Sequence, residues 1–182
     1  MVNLMTIVCF MGGTCGDIVT AVIDETNTTV DIDGRVLLPK ERILLKDPNN
    51  FSNNQEKDQL ILELTCKSIA SHDYVYHLIR KHSIIYVGIF DMAAAVWAAN
   101  RLQRLHPDTW RQFNNQTVEN HATRYIEHTN MVINNKKIKV IDIKDIVTGK
   151  LINKLKEFGF DISNTAEILY LKWLKTNNLG EQ

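Results

Sequence analysis

Apolar positions along the chain alternate between short continuous runs and stretches in which they recur every three or four residues. The runs at residues 4–10, 83–90 and 136–143 are rich in β-branched residues and have the length of buried strands. The periodic stretches between them have the spacing of helices with one buried face. Buried strands that alternate with helices predict an α/β domain of three layers, in which helices cover both faces of a mostly parallel sheet.

Turn signals and helical spacing place the remaining elements. Asp33-Gly34 lies between alternating residues and predicts a hairpin over residues 30–39. Asp91 is positioned to cap the alanine-rich helix that follows it. Because no internal repeat and no biased linker divides the sequence, residues 1–182 are expected to form a single α/β domain. The predicted helices span residues 17–24, 56–70, 73–80, 92–105, 117–128, 150–158 and 166–175.

Composition and charge narrow the class of protein. The chain has 182 residues with 21 basic and 21 acidic side chains, and this balance argues against a dedicated nucleic-acid binder. Cys9, Cys15 and Cys66 are unevenly spaced, form no disulfide framework and fit a reducing compartment. No apolar run is long enough to cross a bilayer, and no basic residue precedes the first run as in a signal peptide. We therefore expect a cytoplasmic protein without a membrane partner.

The sequence MGGTCGD joins the first predicted strand to the first predicted helix. A glycine-rich turn at this place exposes backbone N–H groups, and the helix dipole adds positive potential that attracts phosphate or sulfate. The turn contains no Lys or Arg, and Asp17 adds a negative charge. A plain strand-to-helix turn, capped by Asp17 or Thr14, is therefore the competing interpretation. The candidate cofactor-binding residues in the turn are Gly12, Gly13, Thr14, Cys15 and Gly16.

Cys15 has two interpretations of its own. A helix N-terminus favours the thiolate form of a cysteine, which would make this residue a nucleophile. A phosphatase-type loop also needs an arginine within a few residues, and the sequence has neither that arginine nor a CxxC pattern. We therefore favour a small inert residue over a nucleophile at this position.

Histidines and arginines supply the other candidates. His72 lies in the loop-like stretch SHD and is the candidate catalytic residue, as a general base or substrate contact, against a structural or solvent-exposed role. Histidines five residues apart, such as His72 and His77, face different sides of a helix, so no metal site is predicted.

Arg101 and Arg104 lie at i and i+3 on one predicted helix face, where they form either a phosphate clamp or an ordinary solvated face.

Three stretches of the sequence also match a known family in their order along the chain. They are MGGTCG at residues 11–16, IIYVGIF followed by DMAAAVWAANRL at residues 84–102, and the strand and helix of residues 139–163. This order resembles the sulfotransferase branch of the P-loop fold, in which a first strand leads into a phosphosulfate-binding loop. The resemblance covers most of the chain and implies a P-loop-like sheet. It also implies a transferase activity with 3′-phosphoadenylyl sulfate or a related nucleotide as cofactor.

The same resemblance requires polar groups that this sequence replaces. Met11 stands where the family has its catalytic lysine, Phe90 where it has the arginine for the 3′-phosphate, and Ala98 at the usual serine position. Catalysis of sulfuryl transfer is mainly electrostatic stabilisation of the oxygens that gain charge. Arg101 or Arg104 would therefore have to supply the missing positive charge.

Two main functions from different classes are compatible with these observations, and an unrelated α/β regulator is a third alternative. The first is a sulfotransferase-like or nucleotide- and anion-binding protein that uses the glycine-rich turn and a small-molecule nucleotide. The second is a non-catalytic protein of the same fold that works with protein partners in a viral (phage) assembly, in the host cytoplasm or the virion. The missing cations favour the second, as do 17 asparagines and 20 isoleucines, a bias typical of A/T-rich coding DNA. The retained glycines favour the first, which we adopt as the working hypothesis.

Overall fold

The structure of the chain is a computed structural model that describes residues 5–25, 28–39, 43–44, 67–71, 83–111, 116–134 and 138–180. No helix in this part of the chain has the length and apolar character needed to span a bilayer. The described strands are Thr6–Cys9 (β1), Thr29–Val30 (β2), Val36–Leu37 (β3), Ile43–Leu44 (β4), Ser68–Ser71 (β5), Ser83–Gly88 (β6) and Lys139–Asp142 (β7). The described helices are Gly16–Asp24 (α1), Met92–Leu105 (α2), Pro107–Arg111 (α3), Val118–Ile133 (α4), Ile143–Val147 (α5), Leu151–Glu157 (α6) and Asn164–Thr176 (α7).

Five of these strands form one sheet in the order β4-β5-β1-β6-β7, and each neighbouring pair is parallel. The parallel sheet and its helices confirm the predicted α/β class. After β1 the chain forms β4 and β5 on one side of β1. It then forms β6 and β7 on the other side of β1. In open parallel sheets, ligands bind beyond the carboxyl ends of the strands at such a change of direction. Here that place lies between β1 and β6.

Alternate residues of β1 face opposite sides of the sheet and enter different buried clusters. Ile7 lies in a cluster with Ile69 and Ile84 on the neighbouring strands and with Val132 of α4. Val8 lies in the larger cluster, which includes apolar residues of α1, α2 and α7. Helical side chains are therefore buried against both faces of the sheet, in agreement with the predicted layers. Removing these apolar surfaces from water is the main force that stabilises such a fold.

The predictions for the hairpin and for the helix of residues 56–70 agree with the structure only in part. β2 and β3 form the predicted antiparallel hairpin around Asp33-Gly34. The helix predicted for residues 56–70 is wrong at its C-terminal end, because Ser68–Ser71 forms the strand β5 beside β1. Ile69 and Ala70 fit a helix face as well as a strand, since so short an apolar run has no period of its own. Residues 56–66 and 73–80 lie outside the described part of the chain.

Candidate functional site

The glycine-rich turn of residues 11–16 connects β1 to α1 at the carboxyl edge of the sheet. Gly13 has φ +87° and Cys15 has φ +65°, so two residues of this turn adopt the left-handed region. This conformation is open to glycine but costs about 1–2 kcal/mol at Cys15. The Thr14 hydroxyl and the Thr14 backbone N–H both donate to the carbonyl oxygen of Met11, at 2.7 and 3.1 Å. Local hydrogen bonds thus close the turn.

Helices α2 and α4 pack directly against this turn. A Cβ at Gly13 would overlap the carbonyl oxygen of Ala98 and lie 3.0 Å from Cβ of Leu102, both on α2. The hydroxyl of Tyr125 on α4 donates a hydrogen bond to the carbonyl oxygen of Gly12. Gly12 and Gly13 therefore have a packing role that these contacts explain, and their predicted role as anion ligands stays a prediction.

The predicted cap of α1 is wrong. Cys15 takes the N-cap position in the left-handed conformation and makes no side-chain cap hydrogen bond. Thr14 uses its hydroxyl within the turn, while Asp17 lies inside the first turn of the helix. Gly16 begins α1, and it must be small because a Cβ there would overlap the ring of Phe10. An N-terminus without a side-chain cap leaves its N–H groups and its positive dipole end to other acceptors.

A pocket of about 170 Å³ opens beside this helix start, and we call it the anion pocket after the ligand class predicted for the glycine-rich turn. Its walls are the first turn of α1 with Cys15 and Asp17, the hairpin strand β3 with Arg35, the C-terminal half of α2 with Arg101, and Trp173 of α7. The pocket brings together the predicted turn and one of the two predicted arginines. It also depends on the hairpin and on α7, neither of which the sequence places near α1.

Arg101 is the most unusual residue of the anion pocket, because its guanidinium is charged and only 8% of the residue is exposed. One nitrogen, Nη2, donates to the carbonyl oxygen of Gly34 at 3.1 Å. The guanidinium carbon lies 5.8 Å from the ring centroid of Trp173. Nε is buried and has no hydrogen-bond partner among the described residues. A buried donor without a partner costs about 1–3 kcal/mol, so Arg101 is held in the pocket wall at an energetic cost.

Arg35 is a candidate site residue that the sequence patterns did not predict. It follows the predicted Asp33-Gly34 turn, and its Nε and Nη2 pair with Asp31 at 2.8 Å and with Asp33 at 3.1 Å. These carboxylates offset most of its charge, so Arg101 is the stronger candidate of the two for contact with an anion. A basic residue directly after a hairpin turn was the available signal in the sequence. This signal could identify Arg35 as a site residue only if the position of the hairpin against α1 was known.

Arg104 and Arg101 line separate cavities. Arg104 is exposed and borders a space of about 240 Å³ together with Arg35 and Leu105, whereas Arg101 borders the anion pocket. Arg35 lines both spaces and therefore lies between the two arginines of α2. The described arrangement thus offers an anion Arg101 and Arg35 rather than a clamp of Arg101 and Arg104.

The thiol of Cys15 is poorly suited to nucleophilic chemistry. Burial raises the pKa of Cys15 to about 11, and the nearby positive charge of Arg101 only partly offsets this effect. At neutral pH the thiol is therefore protonated, and its Sγ lies 3.8 Å from the carbonyl oxygen of Gly13. This geometry favours the inert interpretation of Cys15.

We expect iodoacetamide to modify Cys15 slowly in the folded protein at pH 7, because the thiolate is scarce and the residue is buried. Below its pKa of about 11, the rate should rise about tenfold for each pH unit, in proportion to the thiolate fraction. Mass spectrometry of the peptide that contains Cys15, after timed alkylation, measures this rate. Protein unfolded in denaturant is the control, and equally fast modification of folded and unfolded protein at pH 7 would contradict the expectation.

The described histidines lie in different parts of the fold. His72, the predicted general base, lies outside the described residues, so its catalytic role stays a prediction. His106 is the C-cap residue of α2, and it is the histidine that lines the anion pocket among the described residues. His128 lies elsewhere, on α4, where its Nδ1 is 2.7 Å from the hydroxyl of Tyr86. Among the described residues no group of three or more His, Cys, Asp or Glu could hold a metal ion.

Comparisons with protein-family models, with curated proteins and with solved structures found no match to this chain. The function is therefore inferred from the geometry of the pocket. At the positions where the sulfotransferase resemblance requires polar groups, Phe90 is 46% exposed after β6, and Ala98 is fully buried under the turn. The arginines that line the pocket at this edge of the sheet are Arg101 and Arg35.

Proposed function

We propose that this protein binds the phosphate or sulfate group of a small molecule, such as a nucleotide, in the anion pocket. The observation that carries the proposal is the buried Arg101, which lines the pocket and has no carboxylate partner among the described residues. The uncapped first turn of α1 adds N–H groups and positive potential at the same place. Two independent sources of attraction for an anion thus converge on one small volume.

The size and the charges of the pocket limit what it can hold. A space of about 170 Å³ corresponds to several water molecules of about 30 Å³ each, which suits one tetrahedral oxyanion. Arg101 has no carboxylate partner among the described residues, so its charge is available to a ligand. Asp17, which also lines the pocket, repels an anion and weakens binding. The remainder of a nucleotide would therefore extend out of the pocket.

The sulfotransferase resemblance adds a candidate ligand and a candidate chemistry to this proposal. Transfer of a sulfuryl group requires positive charge at oxygens that become more negative in the transition state. Arg101 is the described cation best placed to supply it, since Met11 stands in the position of the family's lysine. We therefore name 3′-phosphoadenylyl sulfate or a related nucleotide as the ligand class to test first, with His72 as the candidate base for transfer.

A thermal-melt series tests the proposal. We expect adenosine 3′,5′-bisphosphate, ATP or sulfate at millimolar concentration to raise the melting temperature, with sodium chloride at matched ionic strength as the control. A ligand at about a hundred times its dissociation constant contributes about 2.7 kcal/mol. For a domain of this size, that raises the midpoint by about 5–10 °C.

The ligands separate the possible outcomes. A larger shift with the bisphosphate than with sulfate would support a nucleotide site, whereas equal shifts would support a site for a simple oxyanion. No shift with any of the three would overturn the proposal and favour the non-catalytic assembly protein. Sedimentation analysis would then be the next measurement, because an assembly protein should form a defined oligomer or retain a partner.

A further inference from the structure

A second cavity, of about 700 Å³, lies at the same edge of the sheet and shares no lining residue with the anion pocket. We call it the α2–α5 groove, because it is bordered by the start of α2, by α5 with the loop that follows it, and by the turn after α7. Cavities that bind small organic molecules have about 300–1,000 Å³. The groove falls within this range, whereas the anion pocket has room only for an anionic group.

The lining of the groove suits a flat organic ring. Trp97 is half-buried, packs against the larger core and also lines the groove. Apolar walls with a few polar groups are typical of sites that bind ring compounds. The lining side chains that matter here are Trp97, Val147, Leu179, Lys150 and Asn177.

The charge at the mouth of the groove favours an anionic ligand. Lys150 is exposed at the rim, and no carboxylate in the described part of the chain forms an ion pair with it. The neighbouring Lys144 differs, because it pairs with Asp91 at 2.8 Å. Lys150 is therefore the cation that a negatively charged substituent on a bound ring would meet.

The walls of the groove are joined by one backbone hydrogen bond and one ion pair. The Asp91–Lys144 pair joins the start of α2 to α5, and the backbone N–H of Gly180 donates to the carbonyl oxygen of Val147 at 3.2 Å. The first contact links α2 to α5, and the second links the C-terminal turn to α5. A cavity that is already formed loses little conformational entropy when a ligand binds.

We propose that the α2–α5 groove binds a flat aromatic molecule with a carboxylate, with the ring against Trp97 and the carboxylate at Lys150. The groove's volume, the indole surface and the unpaired cation at its rim carry this proposal. It does not depend on the anion pocket, so either site can be correct without the other.

Calorimetric titration with 2-naphthoate tests this proposal, with neutral 2-naphthamide as the comparison ligand. We expect the wild-type protein to bind naphthoate more tightly than naphthamide. Lys150→Met should weaken naphthoate binding about two- to fivefold, as expected for the loss of an exposed ion pair, and should leave naphthamide unaffected. Trp97→Phe keeps an apolar ring at that position, and it should weaken the binding of both ligands. Lys156→Met, at an exposed lysine of α6 away from the groove, is the matched control and should change neither.

Three results would overturn the proposal. The first is no binding of naphthoate to the wild-type protein at millimolar concentration. The second is binding that neither Lys150→Met nor Trp97→Phe weakens. The third is binding that Arg101→Met abolishes, because the carboxylate would then occupy the anion pocket. Melting temperatures of all variants show whether each of them is folded.

Discussion

Gly13→Ala is expected to lower the free energy of unfolding by about 2–5 kcal/mol. A Cβ at this position would overlap the carbonyl oxygen of Ala98, which is backbone and cannot rotate away. The overlap forces α2 away from the turn, and overpacking of this kind costs about 1–3 kcal/mol. The φ of +87° adds the strain of a left-handed conformation for a residue with a side chain. Urea unfolding of the wild-type and variant proteins measures the loss.

Gly149→Ala is the matched control for this substitution. Gly149 has φ +84°, and a Cβ there would meet no atom within 4 Å. It should therefore show only the conformational strain, about 1–2 kcal/mol. Equal losses at Gly13 and Gly149 would mean that α2 does not press on the glycine-rich turn. A large loss at Gly13 alone would also show that substitutions there measure folding and are unsuited to testing anion binding.

Arg101→Met should abolish stabilisation by sulfate or by adenosine 3′,5′-bisphosphate while changing the stability of the ligand-free protein by less than about 1 kcal/mol. The substitution removes a buried charge with an unpaired donor, and such groups contribute little net stability. The carbonyl oxygen of Gly34 keeps its other hydrogen bond, from Nδ2 of Asn177 at 3.2 Å. The methionine stem can pack against Trp173 in place of the guanidinium. Urea unfolding with and without sulfate measures both effects.

Arg104→Met is the control for charge alone. Arg104 is exposed and lies outside the anion pocket, so its loss should leave most of the stabilisation by sulfate unchanged. Comparable losses of stabilisation in the two variants would indicate a diffuse attraction to the whole helix. Strong destabilisation of ligand-free Arg101→Met would indicate that the arginine is a structural tether of the hairpin.

The elements with strong local signals could be predicted from the sequence. The strands β1 and β6 are continuous apolar runs, and α2 begins after Asp91, whose carboxylate accepts from the N–H of Ala94 at 3.0 Å. β5 could not be recognised, because Ser68–Ser71 is a short segment that fits two periods equally well. The N-cap of α1 was also missed, since Cys15 reaches its left-handed conformation through packing that no local rule anticipates.

The candidate site was only half predictable for a related reason. The glycine-rich turn and Arg101 were identified as residue types, but their meeting depends on long-range packing. Arg101 is buried because the hairpin carbonyl of Gly34 and the ring of Trp173 both lie against it. Contacts between segments so far apart in the sequence leave no pattern in either segment. The same holds for Arg35, whose proximity to α1 follows from where the hairpin folds.

Calorimetric titration of adenosine 3′,5′-bisphosphate into the wild-type, Arg101→Met and Asp17→Asn proteins tests the central claim most directly. We predict that the wild-type protein binds one molecule per chain, that Arg101→Met shows no measurable binding, and that Asp17→Asn binds more tightly because a repelling charge is gone. Equal affinity in all three proteins, or loss of binding in Asp17→Asn alone, would contradict an anion site between α1 and Arg101.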